Sequence, residues 1–190
     1  MMGLPPARWD NPLFDTILPA VVAEAAPDLA WLRSTPDGGE MPFVADTGVT
    51  HYYGVGAYGR PLDDARRANV RFAAECLAFA CVPEAKTVAE RLAVPPVHAP
   101  AWKAGVPRDL GVGWDFEDVR EIYERMIFRL DPPALRYADP ERSLDVARAT
   151  VDHVVEETIR EWRRPGSTCR GALVFTARDP KIGAGWGLVD

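Results

Sequence analysis

The residue with the clearest chemical potential is Glu75, which closes the apolar run 70–75. The run is typical of a buried strand, so its last residue would emerge at the strand end. Retaining hydrolysis of a glycosidic bond needs a carboxylate of this kind, because the nucleophile must be held rigidly and pointed at the anomeric carbon. The alternative is a structural glutamate that forms an ion pair with Arg71 or Arg178. The run alone leaves both interpretations open.

Two other strand-like runs carry polar and aromatic residues near their ends. The runs 49–55 and 171–179 contain five candidates for substrate binding: His51, Tyr52, Tyr53, Phe175 and Asp179. A tyrosine beside Glu75 would donate a hydrogen bond to the carboxylate and keep it ionised. Burial in the core is the competing interpretation for the histidine and for the aromatic residues.

In order and spacing, these segments resemble the second half of the catalytic barrel of β-mannosidase-like enzymes of glycoside hydrolase family 2. The family segments read roughly His-Tyr-Trp-Gly-Val-Trp, Arg-Phe-x-Ser-Glu-Phe-Gly and Gly-Ala-Leu-x-Trp-Gln-x-Asn-Asp. The resemblance implies a retaining glycosidase without metal or cofactor, acting on a β-mannoside or a related glycoside. It makes Glu75 the nucleophile and the other five candidates substrate-binding residues.

Several positions depart from the family pattern. Ala74–Leu77 reads Ala-Glu-Cys-Leu, which lacks the family's serine and glycine, and Phe175 replaces a tryptophan on which the sugar stacks. Thr176 and Arg178 replace Gln and Asn, and an arginine there could bind an anionic group. Trp186, in a glycine-rich tail, fits a barrel plug better than a surface for a sugar. The lost serine, glycine and tryptophan favour the alternative of a non-catalytic pseudoenzyme or carbohydrate-binding remnant, whereas the matching Glu75 and Asp179 favour the glycosidase.

The second carboxylate of a retaining site has no counterpart in this sequence. In the resembled family, an Asn-Glu pair at the end of the fourth strand supplies the acid/base group, and no Asn-Glu pair occurs here. By the resemblance, that pair would precede residue 1. We therefore expect a fragment, residues 1–190, that forms the C-terminal half of a glycosidase barrel and is inactive alone.

Composition is consistent with one soluble α/β domain. The 190 residues are 47% apolar and 26% charged, which is enough for a single core. The net charge of −6 argues against a nucleic-acid binder. Three cysteines lack metal-ligand spacing. No apolar run approaches the roughly 20 residues of a membrane span, and the first residues show no signal peptide, so we expect a cytoplasmic protein.

Periodicity and turn residues predict alternating strands and helices. The predicted strands are 29–34, 49–55, 71–77 and 171–177. The predicted helices are 11–26, 61–67, 83–92, 115–128 and 139–164, and residues 93–113 form a long loop that is functional or a mobile lid.

Four parallel βα units would make half of a TIM (β/α)8 barrel. The resemblance assigns them as strands five to eight. Half a barrel leaves two strand edges unpaired and an apolar flank open. We therefore expect a partner that covers this flank, either the missing N-terminal half or a second copy of the chain.

Overall fold

The computed structural model describes residues 11–39 and 44–189. Two parallel strands form its sheet: β1, Thr50–Tyr52, and β2, Ala73–Cys76. On the other side of β2, Ala73 forms a parallel bridge with Ala172. The described residues thus have a mixed α/β fold with parallel strands. A complete half barrel is not established, because two of the four predicted strands are not regular.

Helices account for most of the regular structure. A π-helix at Leu13–Ile17 continues into α1, and six α-helices follow β1 in chain order. Their bounds are α1 Leu18–Ala25, α2 Asp64–Arg67, α3 Ala85–Arg91, α4 Pro100–Gly105, α5 Phe116–Phe128, α6 Pro132–Ala138 and α7 Pro140–Arg163.

The two longest helices begin where their capping residues predict. Asp115 accepts hydrogen bonds from the backbone N–H groups of Glu117 and Asp118, and the Asp118 carboxylate accepts one from the Asp115 N–H, which completes a capping box. Asp139 caps α7 by accepting from the Arg142 N–H at 3.0 Å. The predictions of helices at 115–128 and 139–164 are confirmed within a residue or two.

The long helix α7 contacts β1 and α2 through the apolar side of the helix. Trp162 packs its ring edge against Tyr52 with centroids 5.4 Å apart, and its indole N–H donates to the Ala65 carbonyl at 3.1 Å. Val151 and Val154 are also buried on this face. Burial of each such apolar side chain stabilises the fold by roughly 1.5–3 kcal/mol, so α7 holds β1 and α2 together.

The predicted strand at 29–34 is wrong. These residues form bends and irregular backbone, and Leu29 and Leu32 are 67% and 50% exposed. The only strand-like pairing nearby within residues 11–39 is an antiparallel bridge between Asp37 and Val49. An apolar run becomes a buried strand only when neighbouring elements cover it, and no described element covers this one.

The predicted strand at 171–177 is reduced to the single bridge at Ala172. Its backbone still follows β2: the Leu173 N–H donates to the Ala73 carbonyl at 2.8 Å, and the Phe175 N–H donates to the Cys76 carbonyl at 2.9 Å. Residues 173–175, three residues, therefore lie beside residues 73–76, which are four. That mismatch breaks the regular ladder, although the chain stays hydrogen-bonded beside β2.

The long loop at 93–113 contains a helix that periodicity did not predict. Pro100 stands in the first turn of α4, where proline is favoured, and Trp102 is buried beneath it. Helix α6 was also not predicted, and it begins in the same way with Asp131 as the cap and proline in its first turn. Both helices are too short to show a clear apolar period.

Candidate functional site

A bulge in β2 sets the direction of the Glu75 side chain. Thr50 pairs with Ala73 and His51 pairs with Glu75, so Ala74 is an extra residue in β2. A bulge changes the direction of the side chains that follow it and is common beside functional sites. Here it puts Glu75 opposite His51 at the carboxyl end of the parallel pair, the edge where active sites of such sheets lie.

The Glu75 carboxylate has two neighbours from the end of β1. The Tyr53 hydroxyl donates a hydrogen bond to Oε2 at 2.8 Å. Nδ1 of His51 lies 3.5 Å from the same oxygen, and Nε2 of His51 lies 3.3 Å from the Thr35 hydroxyl. Within the described residues, Oε1 has no hydrogen-bond partner. One carboxylate oxygen is therefore held and the other is available to a ligand.

The interpretation of Glu75 as the ion-pair partner of Arg71 or Arg178 does not fit its surroundings. Arg71 donates to the Asp46 backbone carbonyl at 3.0 Å, and Arg178 lines a different cavity. The Glu75 side chain is 36% exposed, so it is accessible to a ligand but only partly hydrated. Among described residues, no arginine or lysine neutralises this carboxylate.

Burial raises the pKa of the Tyr53 hydroxyl, and the hydrogen bond to Glu75 and its charge raise it further. The negative charge of Asp109 acts in the same direction. Tyr53 therefore stays protonated at neutral pH and acts as a donor. The hydrogen bond from Tyr53 thereby orients Oε2 of Glu75.

A cavity of about 360 Å³ opens beside Glu75 and is largely aromatic. Four rings follow one another edge to face along its wall: Trp114 and Phe116 have centroids 5.6 Å apart, Phe116 and Trp186 5.3 Å, and Trp186 and Phe175 5.1 Å. The Trp186 indole N–H has no acceptor among the described residues. Apolar faces with a few polar groups are typical of a small-molecule site.

Two of the predicted substrate-binding residues line this cavity, and a third approaches Glu75 directly. Tyr53 and Phe175 belong to the wall, and His51 contacts the Glu75 carboxylate. Trp186 also belongs to the wall rather than forming a separate plug. The roles of these residues stay predictions, but the structure places them together.

Tyr52 lies elsewhere. Its ring is 4% exposed, and its hydroxyl donates to Asp64 at 2.9 Å and accepts from the Val55 N–H at 3.3 Å. Successive residues of a strand point to opposite faces, so Tyr52 enters the core while His51 and Tyr53 turn toward Glu75. Burial, together with Asp64, raises the pKa of Tyr52. The structure gives Tyr52 a packing role instead of contact with a sugar.

Asp179 also lies outside the Glu75 cavity. Its Oδ2 accepts from the Gly187 N–H at 2.5 Å, and its side chain fills the space in which Gly185 has no Cβ. Asp179 and Arg178 line another cavity together with Arg91 and Lys181. Asp179 therefore fixes the glycine-rich tail that carries Trp186. Asp190, in the same motif, lies outside the described residues.

Sequence reasoning missed the cavity's other aromatic and acidic residues, which are Tyr58, Asp109, Trp114 and Phe116. Three of them lie in the long loop or at its junction with α5, and the length of that loop was the available signal. Its position over Glu75 depends on distant contacts that no local pattern reveals.

Neither metal ligands nor a membrane-spanning helix is found in the described ranges. No group of three or more His, Cys, Asp or Glu side chains in residues 11–39 and 44–189 could hold a metal ion. In the same ranges, no helix has both the length and the apolar character that crossing a membrane requires.

Comparison with known proteins supports the fold. No protein-family model matches the sequence, and no curated protein matches it. Among solved structures, the fold is similar to part of a β-D-mannosidase from Dictyoglomus thermophilum, with a TM-score of 0.75 and 16% sequence identity. The match covers 94% of this chain and 21% of the mannosidase chain.

At 16% identity, this likeness shows the fold alone. The chain shares the fold of part of that mannosidase and spans about a fifth of the mannosidase's length.

Proposed function

We propose that this chain supplies the nucleophile half of a retaining glycoside hydrolase site of β-mannosidase type. The observation that carries the proposal is the Glu75 carboxylate at the end of a parallel strand, held through one oxygen by Tyr53 and open through the other to an aromatic cavity. The fold similarity to part of a mannosidase supports the same conclusion.

The proposed step is nucleophilic substitution at the anomeric carbon. Oε1 of Glu75 forms a bond to C1 of the sugar while the bond from C1 to the leaving-group oxygen breaks and its electron pair goes to that oxygen. Tyr53 holds Oε2 in place, so the carboxylate loses little freedom on reaching the transition state. Water later attacks C1, which releases Glu75 and restores the original configuration.

The acid/base carboxylate belongs, in this proposal, to a complementary N-terminal barrel half. The sequence has no Asn-Glu pair, and protonation of the leaving group typically contributes about 10²–10⁴-fold to the rate. Natural glycosides, whose leaving groups are poor, therefore require both halves. The second half would also cover the surfaces that this chain leaves open.

A glycosyl donor whose leaving group departs without protonation tests the nucleophile independently of the missing acid/base group. With 2-deoxy-2-fluoro-β-D-mannosyl fluoride, fluoride leaves without protonation, and the fluorine at C2 slows hydrolysis of the resulting ester. We expect the chain to gain one fluoromannosyl group, and peptide mass mapping to locate it on Glu75.

Glu75→Gln is the control for the labelling experiment, because an amide is a poor nucleophile of nearly equal size. It should stay unlabelled. Absence of label on the wild-type chain, or label on another residue, would contradict the proposal and favour a non-catalytic carbohydrate-binding remnant.

A partner for the open apolar surface is a second part of the proposal. None of the residues of the π-helix and α1 is buried, and Leu13, Phe14, Ile17 and Val21 are each 43–53% exposed. These side chains form one apolar face on a segment that has no basic residue between Asn11 and Leu32. When the complementary half is absent, we propose that two copies of this chain cover each other's faces.

Sedimentation velocity checks the association. We expect the chain to self-associate in a concentration-dependent way and Ile17→Asp to shift it toward monomer, because a charge in an apolar interface is costly to desolvate. Thr16→Asp is the matched control, since it adds the same charge at the preceding position, which is polar. A stable monomer that unfolds cooperatively at all concentrations would rule out the association.

A further inference from the structure

A second carboxylate faces the Glu75 cavity from the loop before α5. Asp109 lines the same cavity as Tyr53 and Glu75, and it lies close enough for its charge to act on the Tyr53 hydroxyl. Among the described residues, no side chain forms an ion pair or a hydrogen bond with the Asp109 carboxylate. Its acceptor oxygens are therefore available to a ligand.

The loop that presents Asp109 is anchored on both sides. The Phe116 N–H donates to the Pro107 carbonyl at 3.0 Å, and Arg108 lies 3.5 Å from the buried Asp115 carboxylate. Lys103 of α4 pairs with the same carboxylate at 2.7 Å. These contacts fix residues 107 and 116 beside each other, so Asp109 is held at the cavity mouth in the folded chain.

The charges that line the cavity are all negative. Its described wall contains Glu75 and Asp109 but no lysine, arginine or histidine. Carboxylates accept hydrogen bonds from sugar hydroxyl groups. A negative charge on the ligand at about 4 Å from one of these carboxylates would instead weaken binding about fivefold, even at the dielectric constant of water. Arg178, which the sequence suggested for an anionic group, lies in another cavity.

We infer that Asp109 is a second substrate-binding carboxylate, and that with Glu75 it selects glycosides whose hydroxyl groups are unmodified over those carrying a carboxylate or a phosphate. This inference rests on the proposed function, since it concerns the substrate class of the same site. The aromatic wall contacts the apolar face of the sugar, and Asp109 accepts hydrogen bonds from hydroxyl groups at the cavity mouth.

Tryptophan fluorescence reports binding, because Trp114 and Trp186 belong to the cavity wall. The probes are methyl β-D-mannoside, which is neutral, and the methyl β-glycoside of mannuronic acid, which is anionic. We expect the wild-type chain to bind the neutral probe at least tenfold more tightly. Asp109→Asn should reduce this ratio about fivefold, because one of the two repelling charges is removed.

The second measurement is the affinity of Asp109→Ala for the neutral probe, and Asp28→Asn is the control. Loss of a charged hydrogen bond should weaken binding of the neutral probe about tenfold or more. Asp28 is exposed and lines no cavity that contains Glu75, so Asp28→Asn should leave both affinities unchanged. Both positions are on the surface, and these substitutions should not impair folding.

Two results would overturn the inference in distinguishable ways. If Asp109→Asn and Asp109→Ala keep the wild-type affinities while fluoromannosyl label still forms on Glu75, Asp109 has no role and the proposed function stands. If the wild-type chain binds neither probe and is not labelled, the proposed function and the inference both fail.

Discussion

With 2,4-dinitrophenyl β-D-mannoside as donor and azide as acceptor, the wild-type chain is expected to form β-mannosyl azide, whereas Glu75→Ala forms α-mannosyl azide. In the wild-type chain, Oε1 of Glu75 displaces dinitrophenolate and azide then displaces Glu75. Two inversions restore the β configuration. In Glu75→Ala, azide occupies the vacated space and displaces dinitrophenolate directly, so a single inversion gives the α product.

Comparison with a methyl glycoside distinguishes the role of the nucleophile from that of the missing general acid. Dinitrophenolate leaves without protonation, whereas the methoxy group must be protonated as it leaves. Absence of the general acid therefore lowers the rate for the methyl glycoside by about 10²–10⁴-fold. We therefore expect no measurable hydrolysis of methyl β-D-mannoside by the chain alone. Product configuration is read by NMR spectroscopy of the anomeric proton and carbon.

Asp28→Ala is the matched control, because it removes an exposed carboxylate away from the cavity. It should give the wild-type β product at the wild-type rate. Turnover of methyl β-D-mannoside at a rate typical of an intact enzyme would show that this chain contains its own acid/base group. A β product from Glu75→Ala would assign the nucleophile to another residue.

Sequence patterns predicted the elements whose causes are local. The caps at Asp115 and Asp139 fix the starts of α5 and α7, and the apolar run before Glu75 becomes β2. Each depends on a few neighbouring residues. The apolar run at 29–34 failed because a strand also needs a neighbour to cover it.

Sequence patterns could not predict details that depend on pairing across the sheet. The bulge at Ala74 exists only in relation to β1, and it decides that Glu75 lies opposite His51. Likewise, the sequence predicts the same substrate-binding role for Tyr52 and Tyr53. In the structure, Tyr52 donates a hydrogen bond to Asp64 and Tyr53 donates one to Glu75. The approach of Asp109 to the cavity depends on ion pairs between α4 and the start of α5.

A buried ion pair on α5 is the basis of the largest stability effect that we expect. Arg120 donates to Glu124 at 2.8 Å and to the Ala80 carbonyl at 2.8 Å, and the side chains of Arg120 and Glu124 are 5% and 2% exposed. The Ala80 carbonyl follows β2, so this arginine joins α5 to the segment behind the site. Arg120→Met would leave the Glu124 carboxylate and the Ala80 carbonyl buried without their partner.

We expect Arg120→Met to lower the free energy of unfolding by about 3–5 kcal/mol, the usual cost of removing one partner from a buried pair. Urea unfolding followed by circular dichroism measures the loss. Arg125→Met is the matched control on the same helix: its guanidinium is 47% exposed and lies 3.2 Å from Glu121, so the cost should stay below about 1 kcal/mol.

The double substitution Arg120→Met with Glu124→Leu decides whether an unpaired charge causes the loss. It removes both charges together, and replacing a buried pair by apolar residues is often neutral. We therefore expect it to recover most of the stability lost in Arg120→Met, apart from the contacts that Arg120 makes with the Ala80 carbonyl and, at 3.4 Å, with Glu117. If the double variant is no more stable than Arg120→Met, packing of the arginine stem, rather than burial of the Glu124 charge, holds α5 against the segment that follows β2.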